Sequence, residues 1–282
     1  MVKIPLVVGG GYLSNSFQRL LREKNINYEF IPFRSLAGSQ STKTYSNHEV
    51  FHFGIISRRV GNSRESYKAN INAINELLSL LGDDINIYLA NSIDVFGKSA
   101  DKISLDLNYC PFDYYSEAKV EIESLINSRY KTYSLYMPGL YGENIEEGSV
   151  ISRMIKSAIN NSNISLTSPE ITRAFVRYEY CSKVFYNCMA NKALYKDDSF
   201  IRLLPHVDRS RNLKEYAEII KRAIEAIEKN DIKIQHDDNI DTSGGRSKNQ
   251  SITSTSPTSI CPPSENLPIH VKSFVMREFE RL

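Results

Sequence analysis

The chain alternates short apolar runs, rich in β-branched and aromatic residues, with longer segments whose apolar residues recur at helical spacing. The predicted strands are residues 4–8, 28–33, 49–54, a run ending at Ser92, and 133–137, and the predicted helices are 14–22, 63–81, 117–125 and 212–229. Strands that alternate with helices form a mostly parallel sheet with helices on both faces. The sequence therefore predicts an α/β fold, a Rossmann-type doubly wound parallel sheet that binds ligands at the carboxyl ends of its strands.

Length and charge exclude some classes of protein. A chain of 282 residues can form one large α/β domain, or a main domain with a smaller C-terminal part. Lys and Arg number 35 against 33 Asp and Glu, with no long basic run, so we expect no nucleic-acid partner. The four cysteines lack the spacing of a metal site, so we expect no bound metal. Their scattered positions favour free thiols, as in a reducing cytoplasm. Without a membrane-length apolar segment or a signal peptide, we expect a soluble cytoplasmic protein that does not bind membranes.

A glycine turn follows the first predicted strand. Gly9, Gly10 and Gly11 separate that strand from a helix, and glycines in such a turn let a pyrophosphate approach the backbone and the exposed amides at the start of the helix. Ser14 stands where a dinucleotide fingerprint has its third glycine. Taken alone, the segment fits a dinucleotide site and an ordinary turn equally well.

The end of the second strand bears on the choice of cofactor. A carboxylate there would bind the ribose 2′-hydroxyl of NAD, whereas a basic residue accommodates the 2′-phosphate of NADP. The chain has Arg34 and Ser35 at this point and no carboxylate, which favours NADP(H) and leaves NAD(H) as the alternative. The competing interpretation is that Arg34 is a solvated surface charge.

Three residues form a candidate catalytic set. Tyr115 and Lys119 are four residues apart, so on a helix they share one face, and a nearby ammonium favours the phenolate. Ser92, at the end of a buried strand, is suited to hydrogen-bond the substrate oxygen with which Tyr115 would exchange its proton. A tyrosine in such a set can act as a general acid or base at a carbinol oxygen. His52, within the third strand, is interpreted as a packed core histidine.

The order of these motifs resembles the extended short-chain dehydrogenase/reductases, the sugar-nucleotide epimerase/dehydratase group. The resemblance covers about residues 4–190 and becomes thin beyond them. It is carried by residues 11–14, 51–54, 68–71, 92–97, 115–119, 138–142 and 172–176.

The resemblance implies roles for individual residues. Ser92, Tyr115, Lys119 and Asn70 match the catalytic residues of the family. The implied cofactor-binding residues are Gly9, Gly11, Tyr12, Leu13, Arg34, Ser35, Gly54, Lys119 and Pro138. The implied substrate-binding residues are Ser92, Ile93, Asp94 and Arg173, of which Arg173 would bind the nucleotide diphosphate. The resemblance also implies a homodimer, and a nucleotide-binding part at residues 1–145 followed by a mainly substrate-binding lobe at 146–282 that returns some segments to the sheet.

Three functions remain open. Dehydratases of this group have an Asp-Glu pair directly after the catalytic hydroxyl, whereas this chain has Ile93 and Asp94, which disfavours elimination of water. Because Arg34 and Ser35 favour NADP(H), we expect reduction of a 4-keto nucleotide sugar, with epimerisation by tightly held NAD as the alternative. A cofactor-binding regulator without catalysis is the alternative from another class, motivated by the altered glycine turn. Residues 237–263 have the composition of a linker, with Arg246 read as an exposed loop residue, although the apolar run after them suggests partial order.

Overall fold

The computed structural model describes residues 3–36, 43–58, 60–97, 102–142, 149–207, 209–227, 231–236, 250–262, 272 and 276. In chain order its strands and helices are β1 (Ile4–Val8), α1 (Tyr12–Glu23), β2 (Glu29–Ile31), β3 (His48–His52), α2 (Arg64–Ser79), β4 (Asn86–Ser92), β5 (Lys102–Ile103), α3 (Tyr114–Asn127), β6 (Lys131–Met137), β7 (Gly139–Tyr141), α4 (Val150–Asn161), β8 (Asn163–Leu166), β9 (Thr172–Arg173), β10 (Phe175–Arg177), α5 (Tyr178–Ala190), β11 (Phe200–Leu203), β12 (Arg211–Asn212), α6 (Leu213–Glu225), β13 (Lys233–His236) and β14 (Ser251–Ile252). Arg246 and most of the segment 237–263 lie outside the described residues.

Six strands form a parallel central sheet in the order β11-β6-β4-β3-β1-β2. All the strands predicted from residues 4–137 lie in this sheet, and the predicted fold class is confirmed. Among the described residues β2 is the edge strand beside β1. Strand β11 occupies the other edge and comes from the C-terminal half of the chain.

Apolar side chains of the sheet fill both of its faces, as expected for a parallel sheet covered by helices. On one face, Val7, Phe51 and Tyr88 contribute to a core with residues of α1 and α5. On the other, Val8 and Leu89 pack in a core with residues of α2 and α3.

Local capping fixes where the two helices beside β4 begin. The Ser63 side chain accepts a hydrogen bond from the Ser66 backbone amide at the start of α2, and Asp113 does the same for Ser116 at the start of α3. In both cases the serine side chain bonds back to the capping residue, which satisfies two amides that a helix end leaves without partners. The cap at Asp113 therefore sets where Tyr115 lies in the first turn of α3.

A smaller core lies in the C-terminal half. It combines Tyr141 with apolar residues of α4, β8 and α6, and β8 pairs in parallel with β13. Strand β9 pairs antiparallel with β12. The predicted boundary at residue 145 falls outside the described residues, so the division into a nucleotide-binding part and a substrate-binding lobe stays a prediction.

The remaining predictions about the fold have clear outcomes. All four cysteines are free, as the sequence analysis expects, with Cys110 exposed and the other three buried.

His52 is 1% exposed and its ring lies edge-on to Phe33, which confirms its place in the core. Burial, and then the charge of Lys119, lower the pKa of His52 to about 3. Among the helices of the described residues, none is both long enough and apolar enough to span a bilayer.

Candidate active site at the carboxyl ends of the strands

The glycine turn lies between β1 and α1, close to the end of β3. Gly9 has a φ of +151°, and a Cβ atom there would lie 3.2 Å from the Cβ atom of Phe53 and 3.3 Å from the backbone nitrogen of Gly54. A side chain at position 9 would therefore be strained and crowded. Around Gly10 and Gly11 a Cβ atom would meet nothing within 4 Å. This side of the turn is open in the part of the chain that the structure describes, and Gly11, the residue before α1, has no side chain to cap the helix.

Ser14 takes the third glycine position without loss of packing. Its side chain is fully buried, and its hydroxyl accepts a hydrogen bond of 3.2 Å from the Gln18 side chain. A Cβ atom on Gly9 would lie 3.3 Å from the Cβ atom of Ser14, so both residues need to be small where β1 meets α1. A serine in place of the third glycine is thus compatible with the close contact of helix and strand.

The other predicted cofactor residues surround this turn. Tyr12 is 46% exposed and stacks at 6.2 Å on Tyr178, whereas the Leu13 side chain is buried in the core. Gly54 accommodates the ring of Phe33, because a Cβ atom there would lie 2.5 Å from two ring atoms. Pro138 is buried at the end of β6.

Arg34 and Ser35 follow β2 in a short 3₁₀ turn, and both are exposed. The Ser35 hydroxyl donates to the Pro32 carbonyl at 2.7 Å. The backbone nitrogen of Gly9 donates to the Ile31 carbonyl at 3.0 Å, so the glycine turn and the end of β2 are joined directly. The Arg34 backbone thus lies at the edge of the sheet next to the turn, where a nucleotide ribose lies in the fold predicted from the sequence.

The structure brings Ser92, Tyr115 and Lys119 together. Ser92 ends β4, and its hydroxyl accepts a 3.2 Å hydrogen bond from the Asp94 amide. The Lys119 ammonium is 5.9 Å from the centre of the Tyr115 ring. Lys119 is 4% exposed and donates to the Ala90 carbonyl in β4. Burial lowers the pKa of Lys119 to about 8, although the charge of Glu123 raises it.

The pKa of Tyr115 differs from the sequence-based expectation. Burial raises this pKa above its usual value, as does the charge of Asp113, whereas the charge of Arg58 and a hydrogen bond with Ser92 lower it. The expectation that a cation would bring the pKa of Tyr115 down is therefore wrong in direction, because desolvation of the phenolate outweighs the attraction. The cation that acts most strongly on the phenol is Arg58 and not Lys119.

Asn70 lies in α2 and is 1% exposed. Its side-chain oxygen accepts a 2.8 Å hydrogen bond from the backbone nitrogen of Ile56, in the segment that follows β3. Asn70 thus fixes the segment that leads to Arg58. Its assignment to the catalytic set stays a prediction.

Arg58 is a residue that the sequence analysis missed. Its guanidinium bonds Asp94 at 2.8 Å, and Asp113 at 2.5 Å and 3.2 Å. It also lies 4.8 Å from the centre of the Tyr115 ring. The only sequence signal was an arginine just after a strand that ends at the ligand-binding edge of the sheet.

A buried polar network behind Lys119 was also missed. Four side chains donate to the carboxylate of Glu123, which is 2% exposed: Asn91 and Tyr136, each at 2.8 Å, and Ser134 and Tyr109. Arg202 on β11 donates to the Tyr136 hydroxyl at 3.2 Å. Glu123 is one helical turn from Lys119, so this network fixes the part of α3 that carries the lysine.

The predicted substrate residues are more dispersed. Ile93 and Asp94 are each 2% exposed, in the 3₁₀ turn after Ser92, and Asp94 is paired with Arg58. Arg173 is half-buried on β9, directly opposite Arg211 on β12.

In the segment 138–142, a Cβ atom on Gly139 would lie 2.5 Å from the Phe175 ring. A Cβ atom on Gly142 would lie 1.8 Å from the Tyr178 ring. These two glycines make room for aromatic rings.

Solved structures with the same arrangement of strands and helices identify the fold. L-threonine dehydrogenase from Phytophthora infestans matches with a TM-score of 0.74 and 15% identity, over 99% of this chain and 100% of that one. UDP-N-acetylglucosamine 4-epimerase from Methanobrevibacter ruminantium M1, in complex with UDP-N-acetylmuramic acid, matches with a TM-score of 0.75 and 16% identity over 100% of both chains. RMD from Pseudomonas aeruginosa, complexed with NADPH, matches with a TM-score of 0.74 and 13% identity, over 97% of this chain and 98% of that one.

The chain shares the Rossmann-type α/β fold of these structures, with a parallel central sheet covered by helices. No protein-family model and no curated protein matches the chain. At 13–16% identity the likeness to these structures extends to the fold, and the roles of the individual site residues rest on their geometry.

Proposed function

We propose that the chain is an NADP(H)-dependent oxidoreductase that reduces a 4-keto nucleotide sugar, with Tyr115 as the general acid. The observation that carries the proposal is the meeting of Ser92, Tyr115 and Lys119 at the carboxyl end of β4, on the edge of the sheet that also bears the glycine turn. In parallel α/β sheets ligands bind at this edge. A phenol, a hydroxyl and an ammonium suit proton transfer to a carbonyl oxygen.

The phenol of Tyr115 is protonated at neutral pH, as an acid in a reduction must be. Burial raises its pKa above the usual value, and an ordinary tyrosine is also protonated there. When bound, the nicotinamide cofactor supplies the hydride that adds to the sugar carbonyl carbon. Tyr115 gives its phenolic proton to the carbonyl oxygen as that oxygen gains charge, and Ser92 donates a hydrogen bond to the same oxygen. One hydride and one proton thus convert the ketone into an alcohol.

The proposed preference for NADP(H) rests on the end of β2. Arg34 and Ser35 are exposed there, joined to the glycine turn through the bond from Gly9 to Ile31. A guanidinium can bind a 2′-phosphate through two hydrogen bonds, whereas no carboxylate stands at the strand end to bind the 2′-hydroxyl of NAD. RMD, which shares the fold, was solved with NADPH. NAD(H) remains the alternative cofactor.

The proposed substrate class rests on Arg173 and on a protein that shares the fold. Arg173 is half-buried on β9, and its planar guanidinium can bind a diphosphate through paired hydrogen bonds. The 4-epimerase that shares the fold binds a UDP-sugar acid. Elimination of water is disfavoured because Ile93 has no ionisable group and Asp94 is paired with Arg58.

The same proposal includes a homodimer in a reducing compartment. Helices α2 and α3 lie side by side on one face of the sheet, joined by a hydrogen bond from Tyr67 to Glu121, and Tyr114 is 42% exposed beside them. A second pair of such helices could cover this surface. The free thiols favour the cytoplasm. Sedimentation velocity that gave the monomer mass at micromolar concentration would contradict the dimer.

Binding and turnover test the function together. We expect calorimetry to give tighter binding of NADPH than of NADH. Arg34→Ala should weaken NADPH binding about tenfold to a hundredfold, the loss expected for a charge-assisted hydrogen bond. The same substitution should change NADH binding little. The matched control is Arg153→Ala, which removes an exposed arginine on α4.

Four results would overturn parts of this proposal. Equal loss of NADPH and NADH binding in Arg34→Ala would contradict the NADP(H) assignment. Cofactor that copurifies and is never consumed, while two sugar epimers interconvert, would favour the NAD-dependent epimerase. Failure to bind either cofactor would contradict an oxidoreductase. Binding of a cofactor without turnover of 4-keto nucleotide sugars would favour a regulator.

A further inference from the structure

Tyr115 has a second cation beside it. The guanidinium carbon of Arg58 is 4.8 Å from the centre of the phenol ring, and the ammonium of Lys119 is 5.9 Å away. Lys119 also donates to the Ala90 carbonyl. Arg58 approaches from the segment after β3, so the phenol lies between cations carried by two different parts of the chain.

Arg58 is itself held in a fixed orientation. Its Nε and Nη2 atoms donate to the two carboxylate oxygens of Asp113, at 2.5 Å and 3.2 Å, and its Nη1 atom donates to Asp94 at 2.8 Å. Such a paired arrangement uses the planar fork of the guanidinium, which a lysine cannot reproduce. Its side chain is 31% exposed, whereas that of Asp94 is 3% and that of Asp113 is 11% exposed.

The two carboxylates belong to the elements that carry the proposed catalytic groups. Asp94 is in the 3₁₀ turn that Ser92 caps, and Asp113 caps α3 two residues before Tyr115. The Asn62 side chain also accepts a 3.2 Å hydrogen bond from the Tyr115 amide. By joining Asp94 to Asp113, Arg58 connects the turn after β4 to the first turn of α3.

We propose that Arg58 is a positioning residue, which holds Tyr115 against Ser92 and stabilises the phenolate with its charge after the proton has left. The role of the phenolate rests on the proposed function of Tyr115. The fork of Arg58 sets the geometry through Asp113, and its charge acts on the phenol from 4.8 Å. Arg58 and Lys119 thus both stabilise the phenolate, a role that the sequence analysis assigned to Lys119 alone.

Charges around the phenol act in both directions. Among the described residues, Arg58 and Lys119 are the cations near the ring, and Asp113 and Asp94 are the anions that bond Arg58. The charge of Asp113 raises the pKa of Tyr115 and that of Arg58 lowers it. Removing the charge of Arg58 leaves both carboxylates uncompensated, so the pKa of the phenol should rise.

A titration that needs neither substrate nor cofactor tests the proposal. Incorporation of 3,5-difluorotyrosine at position 115 lowers the intrinsic pKa of the phenol into the range in which proteins stay folded, and fluorine NMR reports its ionisation at one site. We expect Arg58→Gln to raise the titration midpoint by about one pH unit, the size expected for a charge at this distance in a partly screened site. Arg58→Lys, which keeps the charge, should move it by less than about 0.3 unit.

The controls separate charge from folding. Arg153→Gln, on the exposed side of α4, should leave the midpoint unchanged. If Arg58→Gln does not fold, Arg58→Met fills the space of the side-chain stem and gives the same reading. An unchanged midpoint in the neutral variant, or an equal rise in Arg58→Lys, would overturn the role of the charge.

Kinetics test the positioning role. Because Arg58→Lys loses the fork, we expect kcat to fall about tenfold with little change in KM, as for a catalytic group that is slightly misplaced. A kcat equal to that of the wild-type protein would overturn the positioning role. If the chain is not a reductase, the fluorine titration still reads the effect of Arg58 on Tyr115, so the two failures are distinguishable.

Discussion

Desolvation shifts the pKa values of two residues of the candidate site, half-buried Tyr115 and buried Lys119. Burial raises the pKa of the phenol and lowers that of the ammonium, and in both cases it favours the neutral form. A neutral phenol can donate a proton, which is the role that reduction requires. The neighbouring charges of Arg58 and Glu123 act against burial at Tyr115 and Lys119 respectively. The sequence indicated which residues would meet, but burial at each atom depends on the packed structure.

The stability of the protein should depend on pH through Lys119. Its pKa is about 8 in the folded state against the usual 10.5, so between these values the unfolded chain binds more protons and the free energy of unfolding rises with pH. Below pH 8 the buried ammonium costs up to about 3 kcal/mol. We expect Lys119→Met to raise the free energy of unfolding at pH 7 and to remove this rise between pH 8 and 10.

Urea denaturation at several pH values measures the effect. Lys214→Met, at an exposed position on α6, is the control and should keep the pH dependence of the wild-type protein. Identical pH dependence in the wild-type protein and Lys119→Met would contradict the lowered pKa.

At the scale of elements, α3 is fastened to the sheet at two levels. Its first turn is held by Asp113 and Arg58, and its third turn by Glu123, which receives hydrogen bonds from β4, from β6 and from Tyr109. Lys119 lies between these levels. The position of α3 is therefore set by polar contacts on both sides of Lys119.

Replacing Glu123 should loosen this helix. We expect Glu123→Gln to lower the free energy of unfolding by about 3 kcal/mol, because the amide nitrogen would face donors and leave buried groups without partners. Glu117→Gln, at an exposed position on the same helix, is the control and should change it by less than about 0.5 kcal/mol. Chemical denaturation gives both values, and equal stability of the two variants would show that the buried network is not needed.

The contact between the end of β3 and the turn after β2 should tolerate no side chain at Gly54. Because a Cβ atom there would lie 2.5 Å from ring atoms of Phe33, we expect Gly54→Ala to lower stability by about 1–3 kcal/mol. Gly10→Ala, where nothing lies within 4 Å, should change it little. Thermal unfolding by calorimetry compares the two variants. A larger loss in Gly10→Ala would contradict this account of the turn.

At the scale of the whole molecule, local patterns predicted most of the strands and helices in the N-terminal half. Strand β1 begins and ends at the predicted residues, and α2 begins directly after the predicted Ser63. These features depend on residues close together in the chain. The contacts of Arg58 with Asp94 and Asp113 span 36 and 55 residues, and no local pattern specifies them.

The C-terminal half was less predictable for the same reason. Strand β11 adds to the sheet beside β6, and β14 pairs with β5, a two-residue strand far away in the sequence. Such short strands have too few residues for a periodic pattern. Their positions depend on contacts between segments far apart in the chain, which no local pattern specifies.

The central claim is that Tyr115 gives a proton to a sugar ketone as the cofactor reduces it. The most direct measurement follows deuterium from NADPH labelled at nicotinamide carbon 4 into a 4-keto nucleotide sugar, with mass spectrometry of the product and absorbance of the cofactor. We predict one deuterium at sugar carbon 4 for each NADPH oxidised, and at least a hundredfold slower transfer in Tyr115→Phe with NADPH binding retained. Transfer at the wild-type rate in Tyr115→Phe, or epimerised sugar with no net oxidation of NADPH, would contradict it.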